Sequence, residues 1–210
     1  MIGIVNYGSG NIDAFCTIYK KANVPYAVVS TPAELERADR ILLPGVGAFD
    51  QAIGELQRSG LRQALDEAVF VRRKPVLGIC VGMQLLGRCS EEGVEKGLGW
   101  INGSVRRFNP AHFSQAKRLP HMGWNTIKPT KANPVFDGLE MPCEFYFLHS
   151  YHFVCATSDD ELAVTDYGGR FTSAVHRKNV WGMQFHPEKS HQAGVILLHN
   201  FAIASLQPSA

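Results

Sequence analysis

Residues 76–86 read Val-Leu-Gly-Ile-Cys-Val-Gly-Met-Gln-Leu-Leu. A short, unbroken apolar strand runs into a cysteine, glycines stand two residues before and two after it, and a helical pattern begins at once. Few backbones accept this. An apolar strand of this kind has to be covered on both faces, which is the situation of a parallel sheet between helices. The strand-to-helix turn is so sharp that a side chain at Gly78 or Gly82 would clash where the chain folds back. The turn would lift the Cys80 sulfur off the C-terminal edge of the sheet and place it at a helix N-terminus, where free N–H groups and the helix dipole favour a thiolate. The next N–H, on Val81, can point at an oxyanion. The plainer alternative is a buried structural cysteine in a glycine-rich turn.

The rest of the chain fits around that strand. Residues 2–6, 26–29, 40–43 and 75–79 read as strands, and 11–21, 48–57, 61–71 and 82–87 as helices, with a break at Ser59-Gly60. This alternation predicts a mostly parallel central sheet flanked by helices. The second half is different. Residues 105–108, 124–127, 144–153, 162–167, 171–176 and 180–185 are strand-like with little helix between them, so additional, antiparallel strands are expected to extend or flank the same sheet. A closing helix is expected over 194–206, with Val195, Leu198, Phe201 and Ala202 on one face. No linker, repeat or low-complexity segment interrupts residues 1–210, so one α/β domain is expected.

Composition narrows the function by exclusion. With 21 Lys plus Arg against 19 Asp plus Glu, the net charge of +2 argues against nucleic-acid or membrane-surface binding. No apolar run approaches the roughly 18 residues of a membrane span. The first residues read as a strand and lack the basic region and cleavage site of an export signal. The 5 cysteines are scattered and include no Cys-x-x-Cys pair, which points to a reducing cytosol and away from a zinc knuckle. Gly8-Ser9-Gly10-Asn11-Ile12-Asp13 imitates a phosphate loop, but Asp13 stands where the third glycine belongs. His149 and His152 lack a third ligand at metal spacing. No Pro-Cys-x-x-Cys accompanies His186-Pro187-Glu188, against a zinc deaminase. His176, His191 and His199 have no partner pattern.

Two more segments bear on Cys80. In Trp181-Gly182-Met183-Gln184-Phe185-His186-Pro187-Glu188, a strand ends in a histidine followed two residues on by a carboxylate. In extended chain those two side chains point the same way. Glu188 can then orient one imidazole nitrogen of His186 while the other faces a thiol, the nucleophile–base–orienter logic of acyl transfer; taken alone, His-Pro-Glu reads as a surface turn, and it is the pairing with the Cys80 turn that gives it weight. Leu43-Pro44-Gly45-Val46-Gly47-Ala48 ends another strand in a Gly-x-Gly turn whose backbone N–H groups can supply a second oxyanion donor. A plain tight turn is the alternative there.

Together, Pro44-Gly45-Val46-Gly47, Gly78-Ile79-Cys80-Val81-Gly82-Met83-Gln84 and His186-Pro187-Glu188 resemble the class I glutamine amidotransferases, which have a flavodoxin-like domain. Further blocks, Asn11-Ile12, Ala48-Phe49, Pro120-His121-Met122-Gly123-Trp124-Asn125, Phe147-Leu148-His149-Ser150-Tyr151 and Lys189-Ser190, are similar to the glutaminase subunits of imidazole glycerol phosphate synthases. The resemblance implies Cys80 as nucleophile, His186 as general acid and base, and Glu188 as orienter. It implies backbone oxyanion donors at Val46, Gly47 and Val81. It places L-glutamine against Gln84, Glu92, Ser150 and Tyr151. It places the partner, a cyclase subunit, at Asn11 and Lys189. It calls for no metal or organic cofactor. Gly87-Arg88-Cys89 departs from the bulkier apolar or acidic residues of the family, which bears on the placement of Glu92. A glutaminase feeding another acceptor, or a non-catalytic regulatory subunit, remains open at this level.

Overall fold

The computed structural model describes residues 1–113 and 118–205. The first half winds as β1 (Ile2–Val5), α1 (Ile12–Lys21), β2 (Tyr26–Val29), α2 (Pro32–Glu36), β3 (Arg40–Gly45), α3 (Phe49–Arg58), α4 (Arg62–Phe70), β4 (Val76–Cys80) and α5 (Val81–Leu85). The second half is β5 (Gly103–Arg107), β6 (His121–Pro129), β7 (Cys143–His149), β8 (Tyr151–Cys155), β9 (Glu161–Asp166), β10 (Arg170–Arg177), β11 (Val180–Met183) and α6 (His191–Ile203). Among the described residues all eleven strands join one mixed sheet, in the order β2-β1-β3-β4-β11-β10-β9-β6-β7, with β8 on β10 and β5 on β8. Pairing is parallel from β2 through β11, and antiparallel from β11 onward.

The buried pattern explains the parallel half. Every residue of β1 and of β4 is buried, as strands covered on both faces must be. In α3, Phe49, Ala52, Ile53 and Leu56 are buried at helical spacing. The chain moves from β1 outward to β2, then returns past β1 to β3 and on to β4. Right-handed crossovers put α1 on one face and α3 and α4 on the other. Accordingly α1 touches α6, while α2 touches α4 and α3 touches α5. The reversal of direction between β1 and β3 opens a crevice at the C-terminal ends of the strands, where ligands of such sheets bind.

Three expectations about elements are corrected. The segment 144–153 is two strands that break at Ser150. β7 pairs with β6 as far as His121 opposite His149, and β8 starts with Tyr151 opposite Arg107 of β5. Phe145, Phe147 and His149 are buried, Tyr151 is half-buried and Phe153 is buried again, so the same parity runs across the break and the sequence reads as one strand. Helix α2 is absent from the expected elements, although Thr31-Pro32-Ala33-Glu34 spells a capping box. Thr31 Oγ1 accepts from Glu34 N at 3.3 Å, and Glu34 Oε2 accepts from Thr31 N at 3.1 Å. Helix α6 begins at His191, three residues early, and its buried face is Gly194, Leu197, Leu198 and Phe201, with Val195 and Ala202 only half-buried. A Cβ on Gly194 would strike the Pro187 carbonyl, so this face turns inward against the preceding turn. Residue 206 of the expected helix lies outside the described residues.

At Gly82, an added Cβ would run into the Leu43 carbonyl oxygen of β3. At Gly60, φ is +73° and nothing lies within 4 Å of an added Cβ. Gly82→Ala is therefore expected to lower the free energy of unfolding by about 3 kcal/mol or more. Gly60→Ala is expected to cost only the about 1–2 kcal/mol of its backbone conformation. Urea unfolding of both variants checks this, and equal losses would mean that α5 can simply slide off β3.

Candidate active site

Cys80 ends β4 and precedes the first residue of α5, with φ +54° and ψ −112°. A positive φ on a non-glycine residue is strained and persists only where its surroundings over-determine it. Here they do. A Cβ on Gly78 would lie 2.6 Å from the Gly82 carbonyl oxygen, so the strand and the helix start are in direct backbone contact.

His186 follows β11, the parallel neighbour of β4, and its backbone N–H is held by the Tyr146 carbonyl at 2.8 Å. Its Nδ1 is 2.8 Å from Glu188 Oε1, with both side chains almost wholly buried. The carboxylate can only accept, so Nδ1 carries the hydrogen and the other ring nitrogen is left free for Cys80, with which the imidazole shares the cleft. Extended chain is not what aligns the two side chains. Residues Pro187–Lys189 form one 3-10 turn, pinned by Ser190, whose hydroxyl donates to the His186 carbonyl at 2.6 Å and accepts from Tyr146 N at 3.0 Å. Burial works to lower the His186 pKa, but the neighbouring Cys80 and the hydrogen-bonded Glu188 outweigh it and push it up to about 10. The imidazole therefore takes up a proton readily, as a base facing a thiol must.

The loop expected to supply oxyanion donors departs from that expectation at one residue. Val46 N–H donates to Ser9 Oγ at 3.0 Å, and the same hydroxyl donates to the Val46 carbonyl at 2.9 Å. Tyr7 Oη ties down the neighbouring Pro44 carbonyl at 2.8 Å. The Val46 N–H is thus committed to the β1–α1 loop and is not presented to Cys80. Gly47, at φ +86°, and Val81, at the start of α5 where helix N–H groups lack partners within the helix, stand on the wall of the cleft.

That cleft has a volume of about 320 Å³ and brings together Val46, Gly47, Cys80, Val81, Gln84, Glu92, Ser150, Tyr151, His186 and Lys189. Gln84 Nε2 donates to the Tyr151 carbonyl at 3.2 Å and to Gln184 Oε1 at 3.1 Å. Glu92 reaches the wall in spite of the unusual Gly87-Arg88-Cys89. Its Oε2 accepts from Phe49 N at 2.9 Å, at the start of α3, while Asp50 accepts from Val94 N and Glu95 N at 2.9 and 3.1 Å. Lys189 Nζ lies 5.7 Å from the Tyr146 ring centroid. Asn11 is exposed at the N-cap of α1 and does not line the cleft.

Sequence reasoning missed the buried polar chain behind the cleft. His149 Nδ1 donates to the Tyr151 carbonyl at 2.7 Å. Its Nε2, 2.9 Å from His121 Nδ1, must then accept, and His121 Nε2 in turn accepts from Asn125 Nδ2 at 3.1 Å. Each tautomer follows from the carbonyl at the end of the chain. Burial, then the neighbouring His121, hold the His149 pKa well below its ordinary 6.5, so it stays a neutral donor. The pleat supplied a readable signal, since His121 and His149 fall on the inward positions of facing strands.

The glutamine amidotransferase class-I family model matches residues 4–204. The chain is 50% identical to imidazole glycerol phosphate synthase subunit HisH of Bdellovibrio bacteriovorus, over 96% of this chain and 99% of that protein. It is 46% identical to the subunit of the same name from Leptospira borgpetersenii, again over 96% and 99% of the two chains. Among solved structures, it superposes with a TM-score of 0.69 on PurLQS from Thermotoga maritima, at 17% identity and covering 95% and 96% of the two chains. It superposes with a TM-score of 0.62 on the glutaminase domain of a Trypanosoma brucei CTPS with bound acivicin, at 15% identity and covering 99% and 97%. At these identities the structures speak to the fold.

The depressed His149 pKa has a consequence for stability. A neutral buried imidazole contributes stability that is present above its ordinary value of 6.5 and lost as pH falls toward its lower folded value. His149→Gln keeps an N–H for Tyr151 but does not titrate. Between about pH 7 and 5, the unfolding midpoint in urea is expected to fall more steeply for the parent protein than for this variant. His152 and His176, also lowered by burial, supply a remaining slope common to both. Parallel curves would remove His149 as the acid-sensitive group.

Proposed function

This chain belongs to the class I glutamine amidotransferases, and we propose that within them it is the glutaminase subunit of an imidazole glycerol phosphate synthase. One observation carries the chemistry: the thiol of the strained Cys80 turn meets an imidazole that Glu188 orients at 2.8 Å, inside a cleft that also holds Glu92 and Lys189. Charges of both signs beside a nucleophile suit the zwitterionic end of an amino acid. The side-chain amide of L-glutamine then lies toward Cys80, with Gln84 and Glu92 on the wall that holds the substrate and Ser150 and Tyr151 at its amino-acid end.

In the reaction, His186 takes the Cys80 proton and the sulfur attacks the amide carbon. Val81 N–H and Gly47 N–H stabilise the oxyanion, a contribution of about 3 kcal/mol per donor. His186 returns the proton to the departing ammonia, leaving a thioester. It then takes a proton from water, which attacks the thioester, and glutamate and the Cys80 thiolate separate. The triad residues and Lys189 lie at the strand ends, beside exposed Met122, Trp124 and Leu148 on neighbouring β6 and β7. This apolar rim, with Lys189 and Asn11, is where a cyclase subunit would seat and receive ammonia before bulk water protonates it. With that ammonia the cyclase subunit forms imidazole glycerol phosphate and AICAR, in L-histidine biosynthesis. Five unpaired cysteines suit a cytosolic protein, and residues 1–210 act as one domain.

Cys80→Ala is expected to abolish glutamine-dependent synthesis by the complex and to spare synthesis from added ammonium. Loss of both would refute the division of labour. Glutamate release is expected to be weak for the chain alone and to rise strongly when the cyclase partner and its nucleotide ligand are added. Full activity alone would point to another acceptor. Within the triad, His186→Ala is expected to lower glutamine turnover by about 10³-fold or more, and Glu188→Gln by less, because the carboxylate orients and does not carry the proton. Steady-state glutaminase kinetics decide, and the reverse order would remove Glu188 from the orienting role.

A further inference from the structure

The Cys80 sulfur has a second polar neighbour that no catalytic role above uses. β11 runs parallel to β4 in the register Val180 opposite Val76 through Met183 opposite Ile79. One residue further, the same register sets Gln184 beside Cys80. Gln184 is fully buried, its backbone N–H is held by the Ser173 carbonyl at 2.9 Å, and its side-chain Nε2 lies 3.9 Å from Cys80 Sγ.

The direction of that contact is fixed from a distance. The Tyr151 carbonyl can only accept, so Gln84 has to turn its amide nitrogen toward it. The second hydrogen on that nitrogen reaches Gln184 Oε1 at 3.1 Å. Gln184 therefore has its oxygen engaged by Gln84 and only its NH2 group left to face the sulfur. A flipped Gln184 would set nitrogen against nitrogen at Gln84 and oxygen against sulfur at Cys80. A backbone carbonyl on the substrate wall thus polarises a chain of two buried amides that ends in a donor on the nucleophile.

We propose that Gln184 is a catalytic residue, a hydrogen-bond donor that stabilises the Cys80 sulfur as thiolate, with Gln84 as the positioning residue that sets its direction. The inference rests on Cys80 being the nucleophile. A neutral sulfur is a poor acceptor and a thiolate a good one, so the donor favours the charged form, and favours it more in a buried site. The amide neither gives nor takes a proton in this pH range, so it does not compete with His186 for the one being transferred. It acts again when the thioester breaks and the sulfur departs with its electron pair.

The test is the pH profile of Cys80 alkylation by iodoacetamide in the full-length chain. The modified peptide is read by mass spectrometry, which separates Cys80 from the other four cysteines. Gln184→Met keeps the length of the side chain and removes the donor. Its Cys80 is expected to react roughly tenfold more slowly at neutral pH, the loss of one hydrogen bond to a charged group. Its rate should rejoin the parent rate at alkaline pH, where both thiols are ionised. Superimposable profiles would overturn the proposal, and so would a loss that is uniform across pH, since that reports access and not ionisation. If Gln184→Met does not fold by circular dichroism, Gln84→Met removes the atom that orients Gln184. A smaller loss in the same direction is then expected, and an unchanged profile overturns the proposal. A parent protein whose Cys80 is no more reactive at neutral pH than exposed Cys89 would instead sink the nucleophile assignment on which the proposal stands.

Discussion

Direct backbone contact between α5 and the sheet is the constraint on which the rest of the site depends. A Cβ on Gly45 of β3 would meet Gly82 N, one on Gly78 of β4 the Gly82 carbonyl, and one on Gly182 of β11 the Met83 side chain at 2.6 Å. Three adjacent parallel strands thus each give up a side chain beneath one short helix. The helix sinks onto the strand ends as a result. Its first N–H groups come level with the loop after β3, and Cys80 is left no room for an ordinary φ. Cys80, the Val81 N–H and the Gly47 turn are neighbours because nothing larger than hydrogen separates the backbones that carry them.

On this frame the cleft holds two buried imidazoles whose pKa values move in opposite directions. Burial works to lower both. His186 has Cys80 and Glu188 against it, and they reverse the effect. His149 has another histidine and a backbone carbonyl, and the single hydrogen bond to that carbonyl does not. The different partners divide the labour. One ring takes up a proton readily, as the base proposed here has to, and the other is locked as a neutral donor that holds the Tyr151 carbonyl in place. The same residue type supplies a base and a strut in one cleft, and environment alone separates them.

How far the site was legible follows from the distance over which its information is spread. Cys80 with its glycines, and His186 with Glu188, lie within a few residues of each other along the chain, so local spacing was enough. Even there the reason was partly wrong, because a 3-10 turn held by Ser190, and not extended chain, brings Glu188 to the ring. Val46 could not be judged locally. Its N–H is taken by Ser9, 37 residues earlier, in a Gly-Ser-Gly stretch that could be rejected as a phosphate loop but not assigned a partner. Gln184 and the His121–His149 pair needed strand register, which hydrophobic pattern specifies only to within a face. The break at Ser150 was hidden because the same parity runs through it while the hydrogen-bond partner changes from β6 to β5. The capping box of α2 is local and legible, but the helix it starts is only 5 residues long, too short for an apolar periodicity to mark it.

The Ser9 contact links the fold to the activity expected of the isolated chain. One hydroxyl uses its hydrogen and a lone pair on the two ends of a single residue, so Val46 cannot reorient without losing both bonds. At about 0.5–1.5 kcal/mol each, that is on the order of 1–3 kcal/mol. The cost is of the same order as the roughly 3 kcal/mol that one extra oxyanion donor contributes in a transition state. Turning Val46 toward the cleft would therefore gain little on balance in the chain alone. A partner that bound the reoriented loop more tightly, by even a few kcal/mol, would make the full contribution of that donor available. Tyr7 and Ser9 tie the loop after β3 to the β1–α1 loop. Asn11 is in that same loop, on the exposed side, two residues from the hydroxyl that holds Val46.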